Sequence, residues 1–156
     1  MSIARQILEF LDANDVRYEH ISHPPVYTAQ EVAQASHTPG KEFAKTVVLS
    51  DDLGFLLAVL PATRRISLDA LREASGRRGL HIATELEFQD LFPDCETGAM
   101  APFGNLYDLP VFADASLRED ETITFNAGTH EDAIRISYAA FEKLVAPVVA
   151  PFGELA

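Results

Sequence analysis

Three segments of the chain carry residue types suited to catalysis or ligand binding, and the first contains Lys45. This lysine stands inside an apolar, strand-like run, residues 43–49. Successive side chains of a strand point to opposite faces, so Lys45 turns away from Ala44 and Thr46 and points inward. A lysine held there supplies positive charge to a phosphate or to a developing oxyanion. The alternative is an edge-strand lysine whose stem packs on apolar surface while its ammonium group stays in water.

The second segment is a loop rich in small residues, 96–105. The small residues are Gly98, Ala99, Ala101 and Gly104. Because little side-chain bulk blocks the approach, backbone N–H and C=O groups of such a loop can come close to a ligand. The loop lacks the Lys and Ser/Thr of a P-loop, and it is not a dinucleotide-binding fingerprint. An ordinary tight loop is the alternative interpretation.

The third segment, residues 125–130, ends a strand in a glycine turn and presents His130. An imidazole at that place is suited to hydrogen bonding or to acid–base work, because its ordinary pKa lies near neutrality. A histidine on a surface turn, with no role in a site, is the alternative.

Familiar catalytic and metal-binding motifs are missing from the sequence. No GxSxG, HExxH, Walker A or paired CxxC motif occurs, which excludes the common serine hydrolases, zincins and P-loop enzymes. His20 and His23 are three residues apart, but prolines follow them and no third ligand is near, so we expect no zinc site. Ser22 and His23 are neighbours in an extended segment and point to opposite faces, a poor nucleophile–base pair. We expect neither a metal nor another cofactor.

The elements that must position these segments form a single α+β domain over residues 1–156. Capping boxes at Thr28 and Thr84 mark helix starts, and two aspartates at 51–52 join the clearest hairpin. Helices are predicted at 2–14, 28–35, 67–76, 84–91 and 138–145, and strands at 17–21, 43–50, 53–60, 111–114, 122–126 and 133–137. Strands and helices mix without strict βαβ alternation, which predicts a mixed, curved sheet with helices packed outside it.

Composition places the chain in a general class. It has 156 residues, 47% of them hydrophobic, enough for one core of its own. Its longest apolar stretches, 55–62 and 144–152, are far shorter than the roughly 18–20 residues that span a bilayer, and charges interrupt the N-terminal apolar pattern, unlike a signal peptide. The lone Cys95 agrees with a reducing compartment. We expect a cytoplasmic protein with no membrane partner.

Acidic residues dominate the charge balance. The net charge is −12, so the protein repels polyanions at long range and must hold any nucleic acid locally. DNA is not an expected partner. Five of the twelve cations lie between Arg64 and Arg78, and this arginine cluster is either a small docking patch or a solvated helix face.

Four short motifs follow one another along the chain: SHPP with YTA at 22–25 and 27–29, AKTV at 44–47, TGAMAPFG at 97–104 and FNAG at 125–128. In this order and spacing they resemble the YbaK/ProX family of aminoacyl-tRNA deacylases, free-standing relatives of the editing domain of bacterial prolyl-tRNA synthetases. The resemblance implies a mixed, barrel-like β-sheet surrounded by helices. It also implies trans-editing, the hydrolysis of the ester between a wrong amino acid and the 3′-terminal adenosine of a tRNA. Alanyl-tRNA of the proline type is the favoured substrate.

The resemblance assigns roles to individual residues. Lys45 matches a strand lysine that contacts the terminal nucleotide and is needed for activity, and Gly128 matches the glycine after the later strand, so these two are the expected catalytic residues. His130 resembles a histidine near the substrate. Thr46 stands where alanine-editing members often carry Asn, which leaves open the amino acid that is removed. The loop expected to hold the aminoacyl group through its backbone consists of Gly98, Ala99, Met100, Ala101 and Pro102.

The same resemblance names the partners and leaves one alternative. It implies binding of the tRNA acceptor end, a synthetase that presents the tRNA, and no cofactor. An aminoacyl ester is already activated, so a positioned water and a stabilised oxyanion suffice without a nucleophilic side chain. The alternative is a non-catalytic module that binds a nucleotide, an aminoacyl ligand or the tRNA end. Retention of Lys45 together with the glycine loop favours the enzyme.

Overall fold

The computed structural model describes residues 3–93 and 95–155 of the chain. It mixes helices and strands, so the predicted α+β class is confirmed. The α-helices in these ranges are α1 (Ile3–Ala13), α2 (Ala29–Ala35), α3 (Leu68–Ser75), α4 (Glu85–Phe88) and α5 (Tyr138–Val145). The strands are β1 (Glu19–Ser22), β2 (Ala44–Asp51), β3 (Gly54–Pro61), β4 (Arg64–Ile66), β5 (His81–Ile82), β6 (Val111–Asp114), β7 (Thr122–Asn126), β8 (Asp132–Ser137), β9 (Val148–Ala150) and β10 (Gly153–Leu155).

Local sequence signals set the helix starts. The Thr28 hydroxyl accepts the N–H of Glu31 at 3.1 Å, and the Glu31 carboxylate accepts the N–H of Thr28 at 3.1 Å. This completes the predicted capping box of α2, and Thr84 makes the same reciprocal pair at the start of α4. α4 ends at Phe88, earlier than predicted, because the Leu91 N–H closes a tighter turn onto the Phe88 carbonyl at 2.9 Å.

The strands are arranged in three sheets. β2 and β3 form the predicted hairpin inside a five-stranded sheet of order β5-β2-β3-β6-β9, in which β6 runs parallel to both of its neighbours. β1, β8 and β7 form an antiparallel sheet with β8 in the middle, and β10 pairs with β4. A parallel bridge between Phe43 and Thr124 joins the start of β2 to β7. The described strands do not close on themselves, so the barrel-like part of the prediction is not confirmed.

The hairpin separates two hydrophobic cores. On one face of β2, Ala44 and Val48 belong to the main core, which also contains Phe125 and buried residues of α1. On the other face, Leu49 belongs to a second core together with Leu71 of α3. The alternation of β2 therefore decides which of its side chains face which core.

A third and smaller core lies beneath α2. It consists of Val32, Ala33, Phe43, Ala62 and Ala133. These residues come from α2, β8 and the ends of the hairpin, so α2 covers the place where the sheets meet. In the part of the chain that the structure describes, no helix is both long and apolar enough to cross a membrane.

The arginine cluster braces the fold. The Arg77 side chain lies 14% exposed, and its Nε is 2.9 Å from Asp51 Oδ2. That guanidinium lowers the pKa of Asp51 to about 2 by donating hydrogen bonds to the ionised carboxyl. Arg64 Nη1 donates to the Gly153 carbonyl at 3.0 Å, across the β4–β10 pair. Both arginines therefore have partners within the fold, and whether the cluster also docks a ligand stays a prediction.

Candidate active site

Two of the predicted segments meet through the backbone. The Gly128 N–H donates to the Ala99 carbonyl at 2.8 Å, and the Glu96 N–H donates to the Gly128 carbonyl at 2.8 Å. The Glu96 carboxylate also accepts the N–H of His130 at 2.7 Å. These three hydrogen bonds fix the small-residue loop against the turn that follows β7. The structure thus brings Gly98, Ala99, Gly128 and His130 into one neighbourhood.

The His130 ring is oriented by the loop. Its Nε2 lies 2.9 Å from the Thr97 carbonyl oxygen, and a carbonyl can only accept, so Nε2 carries the hydrogen. The other ring nitrogen is Nδ1. It is buried and has no partner among the described residues. His130 therefore contributes a partly exposed ring, held by its Nε2 hydrogen bond, to the junction of loop and turn.

Both glycines of the junction have backbone angles that favour glycine. Gly98 has φ +85° and Gly128 has φ +90°, in the left-handed region where a side chain is strained. Gly98 is exposed, and a Cβ added there would lie 3.7 Å from His130 Cε1. The Gly98 backbone is therefore open to a ligand directly beside the imidazole.

The rest of the predicted loop faces the protein interior. Ala99, Met100, Ala101 and Pro102 are all buried, and Met100 and Ala101 belong to the main core. Their side chains anchor the loop. Contact with a ligand is left to the exposed backbone around Gly98.

A further predicted segment, residues 22–29, borders the same junction. The His23 N–H donates to the Glu131 carbonyl at 2.9 Å, and the Val26 N–H donates to the His130 carbonyl at 3.4 Å. Tyr27 places its ring centroid 4.6 Å from that of His130. The proline-containing loop is thus tied along the turn that carries His130.

The turn is braced by an ionised carboxylate that the sequence did not single out. Asp132 Oδ1 lies 2.7 Å from His20 Nε2, and Asp132 Oδ2 accepts the Thr129 hydroxyl at 2.6 Å. Burial raises the pKa of Asp132, but the hydrogen bonds from Thr129 and His20 outweigh burial and lower that pKa overall. Although Asp132 joins His20, no cluster of residues suited to a metal ion is found in residues 3–93 and 95–155.

Lys45 lies on β2, near the bridge that joins the start of this strand to β7. An isolated parallel bridge joins Phe43 to Thr124, two residues before Lys45 on the β2 side and two before Asn126 on β7. Lys45 is half-buried, opposite the fully buried Leu60 of β3, and it makes no ion pair or side-chain hydrogen bond with any described residue. Burial lowers the pKa of this lysine. The structure thus holds an unpaired cation on β2, two residues beyond the bridge to β7.

Two buried polar atoms, one on β7 and one on β2, have no hydrogen-bond partner among the described residues. Asn126 Oδ1 is buried and accepts no hydrogen bond within the described ranges. Thr46 Oγ1 is also buried and has no hydrogen-bond partner within the described ranges. The Thr46 side chain lies on the face of β2 opposite Lys45, with Ala44 and Val48. Lys45 and Thr46 therefore do not point to the same side, and of the two only Thr46 shares a face with the main core.

Several residues of the site were not selected from the sequence. Glu96 lies in the loop 96–105 and Asn126 in the FNAG motif, yet the hydrogen bond from the His130 N–H to Glu96 joins residues of separate segments. Tyr27 lies in the YTA motif but was given no role, and Asp132 lies outside every quoted motif. The one signal in the sequence for Asp132 was its position two residues after His130.

A separate groove lies away from this junction. It has a volume of about 750 Å³ and is lined by residues that include Val16, Arg17, Ile136 and Lys143. These residues lie towards the C-terminal end of β8, whereas the junction lies at its N-terminal end. None of the predicted site residues lines the groove, so its size is no argument for a substrate site there.

The groups of the site can position a substrate and stabilise charge on it. The junction offers an exposed glycine backbone and the partly exposed ring of His130, beside the ionised Asp132 that braces the turn, and β2 supplies the unpaired cation of Lys45. Such a set is suited to an activated ester, for which a placed water and a stabilised oxyanion are enough.

The chain matches a known protein family. The family model of the aminoacyl-tRNA editing domain matches residues 23–144, which include every predicted site residue. The chain is 26% identical over 151 residues to the prolyl-tRNA editing protein ProX of Acetoanaerobium sticklandii, covering 93% of this chain and 92% of that protein.

Solved structures share the fold. A candidate trans-editing enzyme for prolyl tRNA synthetase superposes with a TM-score of 0.85 at 23% identity, covering 99% of this chain and 98% of the other. A hypothetical protein superposes with a TM-score of 0.86 at 19% identity, covering 95% of this chain and 99% of the other. Because the family model matches most of the chain, this protein belongs to the YbaK/ProX family of aminoacyl-tRNA editing domains and is an aminoacyl-tRNA deacylase.

Proposed function

We propose that the protein edits in trans, hydrolysing the ester of a mischarged tRNA that carries a small amino acid, with alanyl-tRNA of the proline type as the preferred substrate. The observation that carries the proposal is the hydrogen-bonded junction of the Gly98 loop and the Gly128 turn, with His130 beside it. The similarity to a prolyl-tRNA editing protein supports the choice of tRNA.

In the proposed reaction, backbone groups bind the substrate and one cation stabilises negative charge. The exposed backbone at Gly98 holds the aminoacyl group, and the Lys45 ammonium group neutralises charge on the terminal nucleotide or on the tetrahedral oxyanion. The partly exposed ring of His130 borders the aminoacyl group. A hydroxyl of the terminal adenosine orients the attacking water. Gly128 keeps the turn in register with the loop, since its N–H and carbonyl both bond to the loop backbone.

Selection among amino acids is proposed to rest mainly on size. The accessible wall consists of the Gly98 backbone and the His130 ring, which are rigidly tied together. Phe103 and Met100 are buried in the main core and do not close the opening. One methylene is worth only about 1–3 kcal/mol in such a site. Alanyl esters, and to a lesser degree seryl esters, are therefore cleaved, while prolyl and larger esters are spared.

The charge of the protein supports limited contact with the tRNA. A net charge of −12 disfavours binding along the whole polyanion, so the proposed ligand is the acceptor end alone. A synthetase that presents the tRNA would supply the remaining affinity, and it is the second proposed partner.

Hydrolysis of a panel of mischarged tRNAs tests the proposal. Glycyl, alanyl, seryl, cysteinyl, threonyl and prolyl esters of one proline-type tRNA are incubated with the protein in EDTA, under single-turnover conditions. The proposal expects the alanyl ester to be cleaved fastest. If the protein binds the tRNA end but turns over none of these esters, it is the non-catalytic binding module.

A further inference from the structure

Tyr27 is a large aromatic residue that stands exposed at the edge of the site. Its side chain is 67% exposed, although an aromatic ring of that size usually gains from burial. One flank of the ring meets His130, with the two ring planes at 55°. The rings are tilted and do not stack face to face, so Tyr27 keeps a face available to a ligand.

The backbone on both sides of Tyr27 is fixed. Before it, the Val26 N–H bonds to the His130 carbonyl, and two prolines stiffen the loop. After it, Thr28 is the N-cap of α2 and is locked to Glu31 by the capping box. The exposed ring therefore sits on a rigid support, and ordering it on binding costs little conformational entropy.

The position of the ring matches a part of the substrate that the catalytic junction does not use. The scissile ester is attached to the ribose of the terminal adenosine, and the adenine base is attached to the same ribose. When the ester lies beside His130, the adenine is one sugar away. Tyr27 is the aromatic side chain that contacts His130 among the described residues.

We propose that Tyr27 is a stacking platform for the adenine at the single-stranded 3′ end of the tRNA, an inference that rests on the proposed function of the site. Stacking suits this protein because the interaction does not depend on charge. With a net charge of −12, the chain gains little from phosphate contacts, whereas base–aromatic stacking binds a single-stranded end without them.

A fluorescence experiment tests the platform independently of catalysis. The sequence contains no tryptophan, so Tyr27→Trp creates a unique emission signal at the platform. A short RNA ending in CCA is expected to quench that emission on binding. The matched RNA, whose last nucleotide is abasic, is expected to quench it at least fivefold less at equal concentration. Equal quenching by both RNAs, or none by either, overturns the proposal.

Kinetics on alanyl-tRNA supply the second test. Tyr27→Ala is expected to raise the half-saturating protein concentration in single-turnover reactions about 5- to 150-fold, the loss of one stacked base, with the rate at saturation retained. Tyr27→Phe keeps the ring and is expected to stay within about twofold of wild type. Leu53→Ala removes another exposed apolar side chain, 82% exposed on the β2–β3 turn, and is the matched control without effect.

The outcomes separate this inference from the proposed function. If Tyr27→Ala lowers only the saturated rate, Tyr27 positions His130 and the platform is refuted. If the half-saturating concentration is unchanged, the platform is refuted although editing stands. If the wild type hydrolyses no ester, the proposed function fails, and the quenching by CCA-ending RNA still decides whether Tyr27 binds the base.

Discussion

Replacing Lys45 by methionine should separate catalysis from folding. The lysine is half-buried and unpaired among the described residues, and it lies opposite the fully buried Leu60. Methionine is also unbranched and flexible, so it can fill the space of the lysine stem without leaving a cavity. Burial lowers the pKa of Lys45, which means that the fold disfavours its charge. The free energy of unfolding should therefore change by less than about 1.5 kcal/mol.

The same substitution should remove most of the activity. If the ammonium group stabilises charge that develops at the ester, its loss resembles the loss of one oxyanion donor, about 10²–10³ in rate or about 2.7–4 kcal/mol. The assay is the single-turnover hydrolysis of alanyl-tRNA, with urea unfolding of the same preparations. Lys143→Met, which removes an exposed charge from the last turn of α5, is the control and should keep the wild-type rate.

The pH profile gives a second check on Lys45. Because its pKa is lowered by burial, the cation is lost as pH rises through a value below the ordinary range of lysine, and activity should fall there. Wild-type turnover by Lys45→Met would remove this residue from the mechanism. A rate loss matched by an equally large loss of unfolding free energy would show that Lys45 acts only through packing.

Further variants test the rest of the site and the fold. Gly98→Val should lower the rate at least tenfold with a smaller effect on the unfolding midpoint, since φ at Gly98 is +85° and the new side chain would crowd His130. His130→Ala should slow alanyl ester hydrolysis or broaden the range of esters cleaved, and identical profiles would exclude it from the site. Asp132→Asn should loosen the turn and raise its amide hydrogen exchange along with a loss of rate. Because Arg77 lowers the pKa of Asp51 to about 2, stability from this pair is complete above about pH 4 and is lost as pH falls towards 2; urea midpoints of Asp51→Asn should lack that part of the acid dependence.

Sequence reasoning succeeded where the signals were local. The capping boxes of α2 and α4, the β2–β3 hairpin and the bounds of α5 all depend on residues a few positions apart. β4, β5, β9 and β10 were not predicted, because each has only two or three residues and exists through pairing with a distant partner. β10, for example, is a strand because it lies against β4.

In the candidate site, too, residues with a local signal could be predicted and residues that depend on distant contacts could not. Glycines at 98 and 128 could be selected from the sequence, since positive φ angles favour glycine. The carboxylate of Glu96 could not be connected to His130, because that hydrogen bond joins residues from separate segments. Strand alternation correctly put Lys45 and Thr46 on opposite faces, but which core each face meets depends on the packing of other elements.

The most direct test of the central claim is the ratio of two rates. Excess wild-type protein is mixed, in the presence of EDTA, with the alanyl or the prolyl ester of the same proline-type tRNA. The first-order rate of ester loss is measured for each ester. We expect the alanyl ester to be hydrolysed at least tenfold faster than the prolyl ester, about 1.4 kcal/mol of discrimination. Faster hydrolysis of the prolyl ester, or no hydrolysis of either, would contradict the proposed function.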